Sequence, residues 1–269
     1  MNFDVLIPSH AESIRQLENL VFAITMQRTK QFKLGKILLC SDNTQTEEYF
    51  DDKSIIQFIK QPSRLGKPDA FNRMLKESDA EVCVSESADT IPASQYTYEF
   101  ALNHFSLDEA VGAVTSNPIP LNWGFLSLPF IVWRCHHFVQ PKISGEMFAF
   151  RRELLGSIPL EIVHDDSYIH QIIVTKGFAV IYEPRAIVIN RVPDSLGDFY
   201  RQRIKNVVGN MQIAERFGRA SLNRVRLRSL VLMSLELLAN AHGRLDYVRG
   251  KIPEGLIGYN LESTKEVAP

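Results

Sequence analysis

Aspartate is the residue type that most invites a chemical reading in this chain. Asp42 ends an apolar run, Asp89 follows Val82-Cys83-Val84 and precedes Ile91-Pro92, and Asp165 and Asp166 stand side by side where a helical pattern begins. Gln202-Arg203-Ile204-Lys205 then places an amide and two cations on a later helix. A reaction that needs one carboxylate for a divalent metal, another as general base and cations for a phosphate would use these types. Each also has an ordinary reading. Aspartates at strand ends form turns, a pair at a helix start is favoured by the helix dipole, and Arg201, Arg203 and Lys205 could be a solvated face. Cys135-His136-His137 could hold a metal, but adjacent residues rarely converge on one ion and no second ligand pair accompanies them.

The elements that must position these groups alternate. Residues 3–7 read as a buried strand ending at Pro8, and residues 36–40, 55–59 and 82–84 as three more. Ile14, Leu17, Leu20, Val21 and Ile24 recur at helical spacing, with Ser9 in the region of the cap. A loop from 62 to 68 leads into a helix beginning at Ala70. This alternation predicts an α/β fold, a mostly parallel mixed sheet flanked by helices. Ligands in such folds bind beyond the carboxyl ends of the strands. That singles out residues 8–12, 41–44, 64–67 and 86–90.

Downstream, residues 110–115 read as a strand, 117–133 as a proline-rich aromatic stretch and 147–150 as a strand followed by a helix over 152–155. His164-Asp165-Asp166 opens a helix that runs to Lys176, stopped by Gly177. Strands follow at 178–182 and 186–189, and residues 196 to about 245 are mainly helical.

Composition narrows the function classes. With 269 residues, 45% of them hydrophobic, the chain can bury a large core and is not disordered. Lys+Arg 30 against Asp+Glu 31 lacks the basic excess of a nucleic-acid binder. The three cysteines at 40, 83 and 135 form no CxxC pair, so neither a disulfide framework nor a zinc ribbon is expected, and a cytoplasmic location fits. Residues 185–269 carry 14 Lys+Arg and 8 Asp+Glu, so a basic C-terminal part follows an acidic body. No secretory signal or membrane span is read: the uncharged stretch 110–133 contains Pro118, Pro120 and Pro129, and the apolar segment 229–241 is short and carries Glu236.

The motifs, taken in order along nearly the whole chain, resemble the family 2 glycosyltransferases of GT-A fold. Val5-Leu6-Ile7-Pro8-Ser9-His10-Ala11-Glu12 is similar to the family's VIIPAYNEE opening, and Ser41-Asp42-Asn43-Thr44 to its DDGS. Gly66-Lys67-Pro68-Asp69-Ala70-Phe71-Asn72 matches GKxxALN, and Ser87-Ala88-Asp89-Thr90-Ile91-Pro92 resembles DADTIP. The run from Ser144-Gly145-Glu146 to Arg151-Arg152 is similar to SGxxxAFRR. Asp165-Asp166, eleven residues before Gly177 counted from Asp166, fits the family's E-D pair, and Gln202-Arg203-Ile204-Lys205-Asn206 its QRxRW. Glu262-Ser263-Thr264-Lys265 is similar to a common family ending.

The resemblance implies an inverting transferase with a catalytic domain over 1–195 and a helical C-terminal region over 196–269. Within the catalytic domain, about 1–92 would form the nucleotide-sugar half and about 93–195 the acceptor half. Pro8, Glu12, Asp42, Lys67, Gln202 and Arg203 would bind the donor, a nucleotide-diphosphate sugar of UDP type. Gly145 and Glu146 would face the acceptor, for which a lipid-linked molecule is one candidate. Asp89 would hold Mg²⁺ or Mn²⁺, and Asp166, with Asp165 beside it, would be the base.

The chain departs from the family at Ser41, Ser87, Asp165, Lys205 and Asn206, which stand where Asp, Asp, Glu, Arg and Trp are usual. Glu86 could replace the carboxylate absent at Ser87. Asn206 in place of the tryptophan typical of processive synthases points to transfer of a single sugar. These departures also motivate a different class, a catalytically degenerate nucleotide-sugar-binding or scaffold protein. A nucleotidyltransferase ranks last, because no Gly-rich basic loop follows the first strand. For the stretch with Arg216, Arg219, Arg224, Arg226 and Arg228 before Leu230, and for Trp123, Phe125, Phe130 and Trp133, packing within the domain is the first expectation. Peripheral contact with an anionic leaflet is the second.

Overall fold

The computed structural model describes residues 1–51, 54–122, 137, 140–193, 195–218 and 242. Strand β1 (Asn2–Ser9) leads into helix α1 (Ile14–Thr25), β2 (Lys33–Ser41), α2 (Thr44–Phe50), β3 (Ile56–Lys60), α3 (Lys67–Glu77) and β4 (Val82–Glu86). Then come β5 (Thr90–Pro92), α4 (Thr97–Leu107), β6 (Val111–Pro120), β7 (Met147–Arg151), α5 (Asp165–Thr175), β8 (Ala179–Asn190) and α6 (Leu196–Phe217). The strands form one sheet of order β3-β2-β1-β4-β7-β6-β8-β5. β1 pairs in parallel with β2 and β4, β2 with β3, and β6 with β8. β7 is antiparallel to both neighbours, and β5 is antiparallel to β8. The mostly parallel mixed sheet expected from the alternation is present.

Side-chain alternation along the strands builds a core on each face. Val5 and Ile7 of β1, Ile37 and Leu39 of β2 and Ala149 of β7 pack with Leu17 and Leu20 of α1 and Tyr98 and Phe105 of α4. Leu6, Leu38, Phe148 and Phe150 turn to the other face and meet Phe71 and Met74 of α3 and Ile169 and Ile173 of α5. The carboxyl ends of β1, β2 and β4 therefore open between elements already locked by packing.

Several boundaries differ from the sequence reading. α1 is capped by Ser13, in a capping box with Gln16, four residues beyond Ser9. α3 begins at Lys67 rather than Ala70, with Pro68 in its first turn, where a missing N–H costs nothing. β6 continues through Pro118 and Pro120. The strands expected at 178–182 and 186–189 are one, β8. The helix expected over 152–155 is a single 3₁₀ turn, Arg152–Leu154. β5, α2 and α4 add to the elements read from sequence, and Tyr98, Ala101, Leu102 and Phe105 of α4 bury one face at helical spacing. Residues 123–136, the basic-apolar stretch beyond 218 apart from His242, and Glu262–Lys265 lie outside the described residues. Among the described residues no helix is long and apolar enough to cross a membrane.

Candidate active site

A cleft opens at the carboxyl end of β1, lined by Pro8, Ser9 and His10, by Gln61, Arg64, Gly66 and Lys67 before and at the start of α3, and by Ile162, Val163, Asp165 and Lys205. Two of the four windows singled out by strand ends, 8–12 and 64–67, supply much of this wall. Glu12 is 7% exposed. Its Oε2 accepts from Ser9 Oγ and from the His10 backbone N–H, both at 2.8 Å, so it shapes the β1–α1 loop. The loop presents His10, whose Nδ1 lies 2.7 Å from Asp42 Oδ1. Asp42 thus meets the cleft through an imidazole that sequence motifs did not mark.

At the cleft floor Gly66 adopts φ 89°, a left-handed conformation that glycine accepts without strain, and turns the chain into α3. Gln61 Nε2 donates to Gly66 O and to Asp69 Oδ2, each at 3.0 Å, and fixes that turn. Lys67 then points its Nζ to within 3.4 Å of Asp165 Oδ2. Burial works against the Lys67 ammonium, but Asp165, Asp166 and Asp89 outweigh it and raise its pKa.

The Asp165–Asp166 pair opens α5, as expected. Asp165 is 7% exposed, lies against Lys67 and lines the cleft, whereas Asp166 stands beside that lining with a slightly more exposed side chain. Asp166 Oδ1 accepts from the Ser167 backbone N–H at 2.6 Å and lies 3.1 Å from His164 Nε2. Oδ2 faces Gly145: a Cβ built there would sit 3.4 Å from it and 3.8 Å from Lys67 Nζ. Burial disfavours the Asp166 carboxylate, but His164, Lys142, Lys67 and the Ser167 N–H overcome it and lower its pKa. One ionised oxygen therefore opens toward Gly145 and a cation. Glu146, next to Gly145, is pushed up by burial and lies near Asn190, whose Nδ2 approaches its Oε1 at 3.5 Å.

Asp89 is exposed in the turn between β4 and β5. Glu86 cannot take the place of the carboxylate absent at Ser87. It is fully buried, Thr90 Oγ1 donates to its Oε1 at 2.6 Å, and Tyr98 OH donates to its Oε2 at 3.0 Å. Burial pushes its pKa to about 8. Among the described residues no three His, Cys, Asp or Glu side chains are grouped as an ion would require. For a metal the protein would supply one exposed carboxylate, Asp89. This fits a hard cation that brings its own oxygens with a diphosphate.

Helix α6 closes the site. Arg203 lies over the Phe199 ring at 5.1 Å, and its Nη2 donates to Gln202 Oε1 at 2.9 Å. Its Nε is buried without a hydrogen-bond partner. Burial lowers its pKa to about 10, against the pull of Glu146. With its amide oriented to satisfy both neighbours, Asn206 donates to Gln202 O at 3.2 Å and accepts from Arg203 Nη2 at 3.1 Å. Lys205, which stands where arginine is usual in the resembled motif, lines the cleft itself. Cys40 and Cys83 are buried thiols in the sheet. His137 packs edge-on against Tyr182, and Cys135 and His136 lie outside the described residues.

No family model matches the chain. Over 215 residues it is 23% identical to the poly-beta-1,6-N-acetyl-D-glucosamine synthase of Staphylococcus aureus strain COL, covering 74% of this chain and 52% of the relative. It is 22% identical over 209 residues to the synthase of the same name from Staphylococcus epidermidis, covering 72% and 50%. The chain therefore spans about half the length of the curated relatives it matches. A mannosyltransferase from Pyrobaculum calidifontis, solved with GDP-Man and Mn²⁺, superposes with a TM-score of 0.65 at 20% identity, over 90% of this chain and 70% of that one. In sequence and fold the chain is similar to glycosyltransferases. Its fold is GT-A.

Within this fold the structure brings Pro8, Lys67, Asp165 and Lys205 to one cleft wall and Asp166 beside Gly145. Asp42 reaches that wall through His10. Gln202 and Arg203 pair with each other next to Glu146. The sequence reading missed His10, Gln61, Lys142 and His164. Of these, His10 fell inside a strand-end window, and His164 directly precedes the aspartate pair. Gln61 and Lys142 carried no signal beyond their polarity.

Proposed function

We propose that the chain transfers a single sugar from a nucleotide-diphosphate sugar to an acceptor hydroxyl with inversion at the anomeric carbon. The observation that carries this reading is Asp166. It is ionised, its Oδ1 is occupied by Ser167, and its Oδ2 opens beside Gly145 and Lys67. Oδ2 takes the acceptor proton as the hydroxyl attacks, and the diphosphate leaves on the opposite side of the anomeric carbon.

Lys67 and Lys205, on the cleft wall, neutralise the leaving diphosphate, with Arg203 behind them. His10 and Asp42 take the nucleoside end, for which a UDP sugar is favoured. A divalent cation held by Asp89 and the diphosphate would supply further charge neutralisation at the leaving group. Asn206, a polar member of the Arg203 network, offers no aromatic platform for a growing glycan, which supports one transfer per acceptor.

The locked position of Glu86 favours a second reading, a protein that binds nucleotide sugars without turning them over. The experiment is a hydrolysis screen of UDP-, GDP- and dTDP-sugars with Mn²⁺. Release of nucleoside diphosphate supports transfer, and donor binding without release supports the second reading. Acceptor and membrane contact are expectations to be tested, the latter by co-sedimentation with anionic and neutral liposomes.

A further inference from the structure

His164 has no role in the motifs above, yet it stands between the general base and helix α6. Its Nε2 is 3.1 Å from Asp166 Oδ1, and its Nδ1 is 3.0 Å from Ser167 Oγ. The two ring nitrogens are thus held between two residues of the same helical turn. A lone pair on Nε2 facing a carboxylate oxygen at that distance would be repelled. The favourable tautomer carries its proton on Nε2, toward Asp166, and accepts the Ser167 hydroxyl proton at Nδ1.

The ring is also seated from behind. At Gly209 of α6 a built Cβ would come within 2.4 Å of His164 Cβ and 3.3 Å of its backbone nitrogen. Only a glycine lets α6 approach this closely, so the helix backbone itself holds His164 against Asp166.

We infer that His164 is a positioning residue for Asp166. The Ser167 N–H hydrogen-bonds Oδ1 and His164 stands against the same oxygen, so that Oδ2, the oxygen facing Gly145, is the one that takes the acceptor proton. This inference rests on the transferase reading above. Other charged groups face the pair: Asp165 from the same turn, Lys142 and Glu146 from the segment before and at the start of β7, Lys67 from α3, His170 from the next turn of α5 and Lys205 from α6. Burial lowers the His164 pKa, while Asp166 and Asp165 oppose that.

The test uses the full chain and whichever UDP-, GDP- or dTDP-sugar the wild type hydrolyses fastest with Mn²⁺. His164→Leu is expected to lower kcat about tenfold or more, the scale of a lost polar contact to a charged group, with donor KM little changed. The acid limb of its pH–rate profile moves to higher pH, because Asp166 loses a neighbour that favours its ionised form. His164→Gln, which keeps an N–H near the position of Nε2, recovers most of the rate and the wild-type limb. Gly209→Ala behaves like His164→Leu. An unmoved acid limb in His164→Leu, or a His164→Gln variant as impaired as the leucine, overturns the inference.

A separate arm needs no turnover. Long-range ¹H–¹⁵N correlation on labelled protein reads the His164 tautomer, and protonation at Nδ1 alone overturns the proposal. A chain inactive on every nucleotide sugar but showing the Nε2–H tautomer would sink the transferase reading and leave the contact with Asp166 standing.

Discussion

Two clusters of charged groups lie on opposite faces of the sheet, and they are built to opposite ends. On the α4 side Glu183 receives Arg185 Nε at 2.8 Å and Nη2 at 2.9 Å, and its Oε2 lies 2.8 Å from His104 Nε2. Both of its oxygens are engaged by partners of the fold. On the α3–α5 side Lys67, Asp165, Asp166, His164 and Lys205 stand close enough to shift one another's ionisation, yet Asp166 Oδ2 faces Gly145 without the ring of donors that closes on Glu183. The same residue types are closed on themselves in one place and left open in the other. Mutual satisfaction stabilises a fold, whereas an ionised oxygen left short of donors is available for chemistry.

The sharpest way to break this contrast is Asp166→Asn. Turnover should fall about 10²–10⁴-fold, the scale of a lost general base, with little change in melting temperature. A large fall in melting temperature with turnover retained would make the cleft cluster structural. Asp89→Ala comes next: nucleoside diphosphate release should drop sharply and depend on far more Mn²⁺, and the wild type should stop in excess chelator. Full activity under chelation would remove the metal from the scheme.

Glu183→Gln should show the reverse pattern, with activity kept and stability lost. Burial opposes the Glu183 charge, but Arg185 and His104 hold its pKa at about 2, below the ordinary 4.5. Its contribution is therefore present above pH 4.5 and disappears as pH falls toward 2. We expect about 2 kcal/mol at neutral pH, discounted because Arg185 is well exposed. Equal stability of the variant and wild type at pH 7 would void the contrast. The smallest effect belongs to His10→Ala, which should raise donor KM several-fold by freeing Asp42, with kcat near normal. A kcat loss matching that of Asp166→Asn would instead move His10 into the chemistry.

The sequence made the frame visible because period-2 and helical apolar spacing are one-dimensional signals. Val5 and Ile7 against Leu6, and Leu17 with Leu20, could be placed without a partner. The cleft windows followed from strand ends alone, and the order of motifs supplied Asp89, Asp166 and Lys67. What did not show were facts of approach. His164 matters because Gly209, 45 positions later, lets a helix touch it. Glu86 reads as a spare ligand until Tyr98 and Thr90 are found on its two oxygens. The antiparallel entry of β7 between β4 and β6 also has no signature in local pattern, because Met147–Arg151 is apolar in either direction.

Glu86 carries one more consequence, which concerns heat rather than geometry. With a folded pKa of about 8 against an ordinary 4.5, it holds a proton at pH 7 that the unfolded chain gives up. Folding therefore takes up a proton, and stability declines as pH rises from about 4.5 through 8. Unfolding at pH 7 hands that proton to the buffer. The calorimetric enthalpy should then differ between phosphate and Tris by about the difference in their ionisation enthalpies, and Glu86→Gln should abolish this part of the difference.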